Sequence, residues 1–423
     1  MFNYIFSIKG MIDILPNKIL TWQYIEDIIK KLMISYGYCE VRFPILEKTI
    51  LYTKSVGICS DIIQKEMYFF EDQDKNKTFL SLRPEGTVSC ARMVIENGLV
   101  YNNRQQKIWY IGPMFRRENT QKGRYRQFNQ FGIECFGIID FDVIIEHILI
   151  VKNLFNLLFI NNNIILQINC IGSIKTRMIY KDVLFIYFIN YVLFFDEDDK
   201  NKLLVNPIRL LDSKKLNIKK IIDKSPKIIN FMDKVTKNKF FLFMKKLNNL
   251  NIKFFINENL VRGLDYYNDI VYEWTLKEYK SQNSLCGGGR YDNLVNQFGF
   301  KNISGVGFGI GLERLILLYN ENFVLNKFFV SVFLICIGDK AHFLKIKIAE
   351  LIRILYPNIF LFTTYGISNY TNQLKKAYNL NTSLVFIIGN EELKSYNVII
   401  KFLNSNKLNK IISIDNISIL WSV

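Results

Sequence analysis

Apolar side chains recur every three or four positions from residue 21 to 36, and this spacing predicts a helix that stops at Gly37. Residues 38–46 predict a strand that leads into Pro44. Two pairs of antiparallel strands and then a helix are predicted next: 67–70 with 78–82, 107–115 with 125–136, and the helix 141–159. The first part of the chain therefore mixes helices with antiparallel strands.

The pattern changes at about residue 173. From there to residue 252 lysine, asparagine and helical apolar spacing dominate, and glycine is absent from 173 to 259, which predicts an inserted helical subdomain. The longest apolar run, 183–195, has 13 residues. Because a membrane-spanning helix needs about 20 residues, this run predicts a buried helix and no membrane contact.

Strand patterns return at Phe254, at 270–276 and around Leu285, and residues 305–319 predict a glycine-rich strand followed by a helix. Beyond Asn326 predicted strands alternate with predicted helices, which is typical of a separate small α/β domain. We therefore expect one domain at 1–325, with the helical insertion at about 173–252, and a second domain at 326–423.

Charge and composition narrow the class of function. The 423 residues carry a formal charge of +17, which favours a polyanionic partner such as nucleic acid. The abundance of lysine, asparagine, isoleucine and phenylalanine also indicates a drift toward AT-rich codons, so charge alone proves little. Seven scattered cysteines and two histidines argue against a zinc site or an imidazole base and favour a reducing, cytoplasmic location.

The segment 112–134 has the most informative chemistry, because it interleaves basic and aromatic side chains. Its basic members are Arg116, Arg117, Lys122, Arg124 and Arg126, and its rings are Phe115, Tyr125, Phe128 and Phe131. Guanidinium groups can hold phosphate oxygens bidentately, and flat rings can stack on a base. The isolated carboxylates Glu118 and Glu134 suit a cationic group, so a nucleotide together with an amine is the first hypothesis.

Four further motifs carry candidate chemistry, and each has a plain structural alternative. In the segment 82–87 Thr87 could cap a helix and Glu85 could anchor an amino group, or the segment could be an ordinary capped helix. The segments 260–267 and 286–292 combine arginine, tyrosine and glycine, which could bind a ligand or could simply form turns. Glycine at every second position in 305–314 leaves one face of the predicted strand without side chains, so a flat group or another backbone could lie against it. Arg314 would point toward that face.

In this order and spacing, the motifs closely resemble those of the histidyl-tRNA synthetases, a family of class II aminoacyl-tRNA synthetases. The likeness runs from residue 9 to about 319, with 115–134 and 305–314 resembling class motifs 2 and 3, and continues more loosely to the end. It implies an α+β fold, with a six- or seven-stranded antiparallel sheet flanked by helices, a helical insertion and a C-terminal α/β anticodon-binding domain. It also implies a homodimer that binds ATP, L-histidine and tRNA(His).

The implied reaction joins histidine to ATP as an adenylate and then transfers the histidyl group to tRNA. By resemblance Arg116 and Arg262 hold the α-phosphate, and Mg²⁺ enters with ATP without a metal site of the protein's own. The other residues implied to bind ATP are Glu118, Arg124, Phe128 and Arg314. Those implied to bind histidine are Glu85, Gly86, Thr87, Gln130, Glu134, Tyr266, Tyr267 and Tyr291.

The resemblance also places the loop around Asn119 and Gln121 against the acceptor end of the tRNA. Asn119 stands where the family usually has arginine, which leaves the strength of that contact open. Two other hypotheses remain at this point. The chain could be a non-catalytic paralogue that regulates histidine biosynthesis, or an RNA-binding module on an inactive synthetase scaffold.

Overall fold

The computed structural model describes residues 5–57, 60–75, 77–161, 164–213, 215–277, 284–298, 303–322, 330–357, 359–403 and 407–416. The chain divides into two compact units, residues 1–324 and 325–423. The strands of the first unit are β1 Cys39–Glu40, β2 Leu46–Lys48, β3 Phe69–Glu71, β4 Phe79–Leu82, β5 Gln106–Phe115, β6 Gln127–Phe136, β7 Ile164–Cys170, β8 Phe254–Ile256, β9 Asn268–Leu276, β10 Ser284–Arg290 and β11 Gly305–Gly311.

Helices cover the sheet of the first unit and fill the insertion. They are α1 Pro16–Ser35, α2 Thr49–Ser55, α3 Thr87–Glu96, α4 Asp142–Leu157, α5 Ile174–Ile189, α6 Glu197–Val205, α7 Leu216–Asp223, α8 Lys234–Asn249, α9 Asp292–Asn296 and α10 Leu312–Asn322. α1 begins five residues before the sequence pattern indicated, because Pro16 occupies a first-turn position that needs no N–H donor.

Eight strands form the main sheet in the order β1-β5-β6-β11-β10-β9-β7-β8. The six central strands are all antiparallel, as the resemblance implies. The two short edge strands differ from that expectation, because β1 runs parallel to β5 and β8 runs parallel to β7. The α+β class is confirmed, and the sheet is mixed at its two edges.

A smaller sheet, in the order β2-β4-β3, lies beside the entrance to α3. Its hairpin of β3 and β4 was predicted, whereas the strand predicted at 38–46 is split into β1 and β2 by an irregular stretch around Pro44. A π-helical turn, Ile62–Glu66, precedes β3. Such turns are rare and are often found near functional sites, and this one ends at Glu66.

The insertion consists of helices α5 to α8, and it corrects one prediction. The apolar run 183–195 is not a single buried helix, since α5 ends at Ile189 and a short 3₁₀ turn, Val192–Phe194, follows. Tyr180, Leu184 and Phe188 are buried on one face of α5, whereas Ile186 is 66% exposed. Because almost every residue of the run is apolar, its sequence does not show which positions lie on the buried face of the helix. No helix among the described residues is long and apolar enough to cross a membrane.

The second unit has one five-stranded sheet, in the order β13-β12-β14-β15-β16, with helices packed on it. Its strands are β12 Val330–Cys336, β13 Ile359–Thr363, β14 Leu384–Ile388, β15 Asn397–Phe402 and β16 Lys410–Ser413. Its helices are α11 Asp339–Leu355, α12 Tyr370–Asn379 and α13 Asn390–Ser395. The parallel pairs of β12 with β13 and β14 give this unit the α/β character that alternation of strands and helices predicted.

Candidate active site

One face of the main sheet is lined by glycine, and this face carries the site. On β11 the alternate residues Gly305, Gly307 and Gly309 point the same way, and Gly287 on β10 lies opposite Gly309. A Cβ at Gly305 would collide with the ring of Tyr291, and one at Gly307 would collide with the carboxylate of Glu134. The bared face therefore receives polar side chains from neighbouring elements, and this replaces the expected flat group or backbone.

Glu134 lies at the centre of this face and is fully buried. Its Oε1 accepts hydrogen bonds from Thr87 Oγ1 at 2.7 Å and from the Tyr110 hydroxyl at 3.1 Å. Its Oε2 accepts a further hydrogen bond from the Tyr291 hydroxyl. Burial raises the pKa of Glu134 from 4.5 to about 8, even though these hydroxyl groups favour the charged form.

Glu85 is the second buried carboxylate, and it corrects the role expected for Thr87. The carboxylate of Glu85 accepts from the backbone N–H groups of Thr87 at 2.9 Å and Val88 at 2.8 Å, so Glu85 caps helix α3. The hydroxyl of Thr87 is thereby left to bond Glu134. Glu85, just before α3, therefore takes the capping role that the sequence suggested for Thr87.

A cluster of three tyrosine rings closes the pocket over these carboxylates. The ring centroids of Tyr266 and Tyr267 are 4.8 Å apart, and Tyr291 lies 5.7 Å from Tyr266. The Tyr266 hydroxyl donates to Glu85 at 3.3 Å. Burial, opposed by the charge of Arg262, raises the pKa of Tyr267 to about 12, so its hydroxyl keeps its proton and can donate a hydrogen bond.

Gln130 offers an unused acceptor on the same face. Its side chain lies over Gly309, where a Cβ would collide with its amide nitrogen. Its Oε1 is buried and has no hydrogen-bond partner among the described residues. A buried acceptor of this kind is costly unless a donor reaches it, so Gln130 is suited to bind an amine N–H.

Arg262 lies in a slot between strand β9 and a glycine. Its Nη1 donates to Glu273 Oε1 at 3.0 Å, and its guanidinium carbon lies 5.7 Å from the centroid of the Tyr267 ring. Gly287 is the register partner of Glu273, and a Cβ at Gly287 would collide with the guanidinium. The slot therefore orients a single positive charge over the glycine-lined face.

The other guanidinium groups converge at the opposite end of the pocket. Arg116 donates from Nε to the Pro84 carbonyl at 2.8 Å and lies over the ring of Phe128, with its guanidinium carbon 5.3 Å from the centroid. Arg124 is ion-paired with Glu118, and its Nη2 lies 3.9 Å from Glu66 Oε1. Glu66 ends the π-helical turn, whose geometry aims it at these cations.

Arg314 completes this cationic cluster from the first turn of α10. Its guanidinium donates to the Gly123 carbonyl at 3.1 Å and to the Ser284 carbonyl at 2.7 Å. Burial lowers the pKa of Arg314, and the charges of Arg124 and Arg116 lower it further. Three like charges held this close together are a platform for an anion with several negative charges.

Some of the singled-out residues lie outside this constellation. Asn119 and Gln121 are exposed on the loop between β5 and β6, and a backbone bridge from Gln121 to Arg124 tightens that loop. Arg290 is buried and donates to the carbonyls of residues 138–140, so it has a structural role. His147 is buried beside Cys135 and Tyr38, and burial lowers its pKa to about 3.

Comparison with known proteins identifies the family. The family model for histidyl-tRNA synthetase matches residues 10–175 and 214–315. The chain belongs to the histidyl-tRNA synthetase family. Among curated relatives, the histidine–tRNA ligase of Buchnera aphidicola subsp. Baizongia pistaciae is 43% identical over 94% of each chain. That of Blochmanniella floridana is 40% identical over 96% of this chain and 94% of its own.

Solved structures of the family have the same fold. The apo histidyl-tRNA synthetase of S. aureus is 30% identical, with a TM-score of 0.79 over 99% of both chains. A Bacillus halodurans protein described as an ATP phosphoribosyltransferase regulatory subunit/histidyl-tRNA synthetase has a TM-score of 0.65 at 20% identity, over 91% of this chain and 98% of its own. The second likeness shows the fold alone.

Three residues of this family member's pocket escaped sequence reasoning. They are Tyr110, Glu66 and Glu273. Tyr110 could have been found, because Tyr110 and Gly112 alternate on one face of β5, and Gly132 leaves the space that the Tyr110 ring occupies. Nothing local distinguishes Glu66 or Glu273, since the partner of Glu66 is Arg124 on a distant loop and the pairing of Glu273 with Arg262 depends on how the loop before β9 folds back.

Proposed function

We infer that the chain is an active histidine–tRNA ligase, an aminoacyl-tRNA synthetase whose substrates are ATP, L-histidine and tRNA(His). The observation that supports this best is the meeting of two complementary ends in one pocket. A buried carboxylate network around Glu134 suits a substrate with N–H groups, and the cluster of Arg116, Arg124 and Arg314 suits a triphosphate.

At the phosphate end, we assign Arg124 and Arg314 to the outer phosphates of ATP and Arg116 to the α-phosphate. Each guanidinium bonds to a protein carbonyl or carboxylate, and phosphate oxygens would exchange with these partners. Glu118, which pairs with Arg124, would then be released from this pair and could contribute to ATP binding. Phe128, already beside Arg116, would stack on the adenine ring.

Arg262 is the proposed catalytic cation on the other side of the α-phosphate. The histidine carboxylate attacks the α-phosphorus, an O–P bond forms, and the bond to the outer two phosphates breaks, giving histidyl-adenylate and pyrophosphate. Negative charge accumulates on the α-phosphate oxygens as this happens. A guanidinium already oriented by Glu273 and Gly287 stabilises that charge without reorganising.

At the histidine end, Glu134 and Tyr267 bind the imidazole nitrogens, one as acceptor and the other as donor. Gln130, Glu85 and Thr87 bind the α-amino group, with Gly86 keeping room beside the Tyr110 ring, where a Cβ would collide. Tyr266 and Tyr291 form the walls. A pocket that hydrogen-bonds its substrate discriminates by roughly 10⁴ to 10⁵ against analogues that lack the partner groups.

In the second step the 3′ hydroxyl of tRNA(His) attacks the histidyl carbonyl carbon, and AMP leaves. We propose that the exposed loop carrying Asn119 and Gln121 meets the acceptor end, and that the unit 325–423 binds the anticodon. We also propose that Mg²⁺ enters with ATP, that the enzyme is a homodimer, and that it works in the cytoplasm. Oxygen ligands from ATP itself suit Mg²⁺.

The regulatory paralogue remains the rival, and the Bacillus halodurans likeness is compatible with it at the level of fold. The curated relatives at 40–43% identity favour the ligase. So does the arginine set, because a regulatory histidine-binding module has no need for four guanidinium groups around a triphosphate site. An RNA-binding module on an inactive scaffold has no need for them either.

The deciding experiment is ATP–pyrophosphate exchange with each of the standard amino acids in turn, followed by charging of tRNA(His). We expect exchange that depends on histidine alone and the formation of histidyl-tRNA. Absence of histidine-dependent exchange would contradict the ligase function. Exchange without charging would place the defect at the loop with Asn119 or in the unit 325–423.

A further inference from the structure

The loop that carries the proposed catalytic arginine has no regular secondary structure. This Arg262 loop, residues 257–267, connects β8 to β9 and holds Arg262, Tyr266 and Tyr267 within six positions. A cavity adjoins it, lined by Arg262, Tyr267 and side chains of the insertion. Since tight packing does not fill that side of the loop, its geometry depends on polar contacts.

Asp265 supplies the polar contacts of the second half of the loop, whereas Asn169 and Lys227 hold residues 258–260. Its carboxylate packs against Gly57, which has a positive φ of 94° and where a Cβ would collide with Oδ2. Its backbone N–H donates to the Val56 carbonyl at 3.3 Å. Asp265 thus lies between the end of α2 and the helical insertion.

The insertion holds Asp265 with two guanidinium groups. Nη2 of Arg209 donates to both carboxylate oxygens of Asp265, at 2.9 Å each. Nη1 of Arg177 donates to the backbone carbonyl of Asp265 at 3.3 Å. The side chain of Arg209 is only 13% exposed, so water screens this ion pair less than it screens pairs at the surface.

Both arginines lie in a part of the chain that the family model does not match. Arg177 is in the first turn of α5 and Arg209 in a 3₁₀ helix, Pro207–Asp212, whereas the matched stretches are 10–175 and 214–315. The contact therefore joins a segment outside the family pattern to the most characteristic loop of the site.

Other ion pairs also tie the insertion to the sheet, but they end elsewhere. Lys65 pairs with Asp198, Lys239 with Asp269, and Lys246 with Asp142, and none of these contacts involves the Arg262 loop. The side chains of Lys246 and Asp142 are 46% and 57% exposed. The pair of Lys246 and Asp142 therefore serves as a control for charge removal, because it links the insertion to helix α4 away from the site.

We propose that Arg209 is a positioning residue for the ligase reaction, which acts through Asp265 on Arg262 and Tyr266. The inference rests on the proposed function. Removing Arg209 leaves the Asp265 carboxylate without its cation in a half-buried seat, so the loop relaxes and the catalytic guanidinium shifts. The position of the insertion is thereby coupled to adenylate formation.

The test compares five variants of the full chain in histidine-dependent ATP–pyrophosphate exchange: Arg209→Ala, Arg209→Lys, Asp265→Asn, the double variant of Arg209→Ala with Asp265→Asn, and the control Lys246→Ala. Because a displacement of about 1 Å can cost roughly 10²-fold in rate, we expect kcat to fall by about that factor in Arg209→Ala. We expect a smaller fall in Arg209→Lys, which keeps the charge. In the double variant of Arg209→Ala and Asp265→Asn, the loss should not exceed that of the worse single variant.

Thermal unfolding separates positioning from a purely structural role. Arg209→Ala should melt below Lys246→Ala, because it breaks the more buried ion pair, but it should be fully folded at the assay temperature; the kcat of Lys246→Ala should remain at the wild-type value. Equal kcat in Arg209→Ala and Lys246→Ala would overturn the inference, and so would fully additive losses in the double variant. If Arg209→Ala does not fold, wild-type kcat in Arg209→Lys and Asp265→Asn would overturn it. Lack of exchange in the wild-type protein would instead refute the proposed ligase function.

Discussion

The two ends of the pocket are built on opposite principles. Glu134 at the histidine end is fully buried, and its two oxygens accept three hydroxyl hydrogen bonds from Thr87, Tyr110 and Tyr291. At the proposed phosphate end, the side chain of Arg124 is 36% exposed, and it is paired with the carboxylates of Glu118 and Glu66. The first end is a closed hydrogen-bond network. At the second end the arginines are paired with protein groups that phosphate oxygens could replace.

This difference shows how one site can combine strict selection with chemistry. A closed network recognises by fixed donors and acceptors, so a wrong substrate leaves a buried group unpaired. Cations on exchangeable partners bind by charge, which suits phosphates whose geometry changes during the reaction. Variants at the two ends should therefore fail in different kinetic parameters.

The largest effect should come from Arg262→Ala at the reacting phosphate. Because this guanidinium is proposed to stabilise charge that develops in the transition state, kcat for histidine-dependent exchange should fall by about 10² to 10³-fold in a variant that still folds. Arg92→Ala is a suitable control, since Arg92 pairs with Glu47 and Glu96 outside the pocket. Wild-type exchange in Arg262→Ala would refute its catalytic role.

Glu134→Gln should act on histidine binding and leave ATP binding intact. The amide has the shape of the carboxyl group but places an NH₂ group among hydroxyl donors, which leaves a buried polar group unsatisfied. An unsatisfied buried polar group costs about 1 to 3 kcal/mol, so the KM for histidine should rise by roughly 5 to 10²-fold. Steady-state exchange at varied histidine and at varied ATP separates the two effects. A rise in the KM for ATP alone would contradict the assignment.

Tyr110→Phe should have a smaller effect of the same kind. It removes one hydroxyl donor to Glu134 without changing the ring that fills the space beside Gly86 and Gly132. A single hydrogen bond contributes about 0.5 to 1.5 kcal/mol, so the KM for histidine should rise by roughly two- to tenfold. Tyr272→Phe is the matched control, because the Tyr272 hydroxyl has no partner among the described residues and its KM should not change.

The pH dependence of stability should also identify the closed end. Burial raises the pKa of Glu134 from 4.5 to about 8, so the folded chain keeps a proton that the unfolded chain releases. The free energy of unfolding therefore falls as pH rises between these two values. In Glu134→Gln the fall should be smaller, although Glu313, with a pKa raised to about 7, still contributes. Denaturant unfolding at several pH values measures the difference, and identical slopes would contradict it.

The sequence predicted this architecture well where the determinants are local. The strands β5 and β6, the hairpin of β3 and β4, and the glycine-rich strand before α10 were all predicted, because alternation and glycine spacing are properties of short segments. The parallel edge pairings of β1 and β8 were not, since they depend on strands far away in the chain.

The site shows the same limit. The motifs identified the arginines and carboxylates, and the structure brings most of them to one sheet face. The capping of α3 by Glu85 in place of Thr87 was missed, because the hydroxyl of Thr87 bonds to Glu134, which is 47 residues away from Thr87. Glu273 was missed for a similar reason, because its contact with Arg262 depends on the strand register that places it opposite Gly287.

The glycine-lined face also constrains the gene. Every glycine codon begins with two guanines, whereas the composition of this chain indicates drift toward codons rich in A and T. At Gly307 any side chain would collide with Glu134, and at Gly287 any side chain would collide with Arg262. Mutational pressure that turns these guanines into adenines therefore acts directly on the pocket. We expect the codons for these glycines to keep their guanines, so the coding strand should stay locally rich in guanine at these positions.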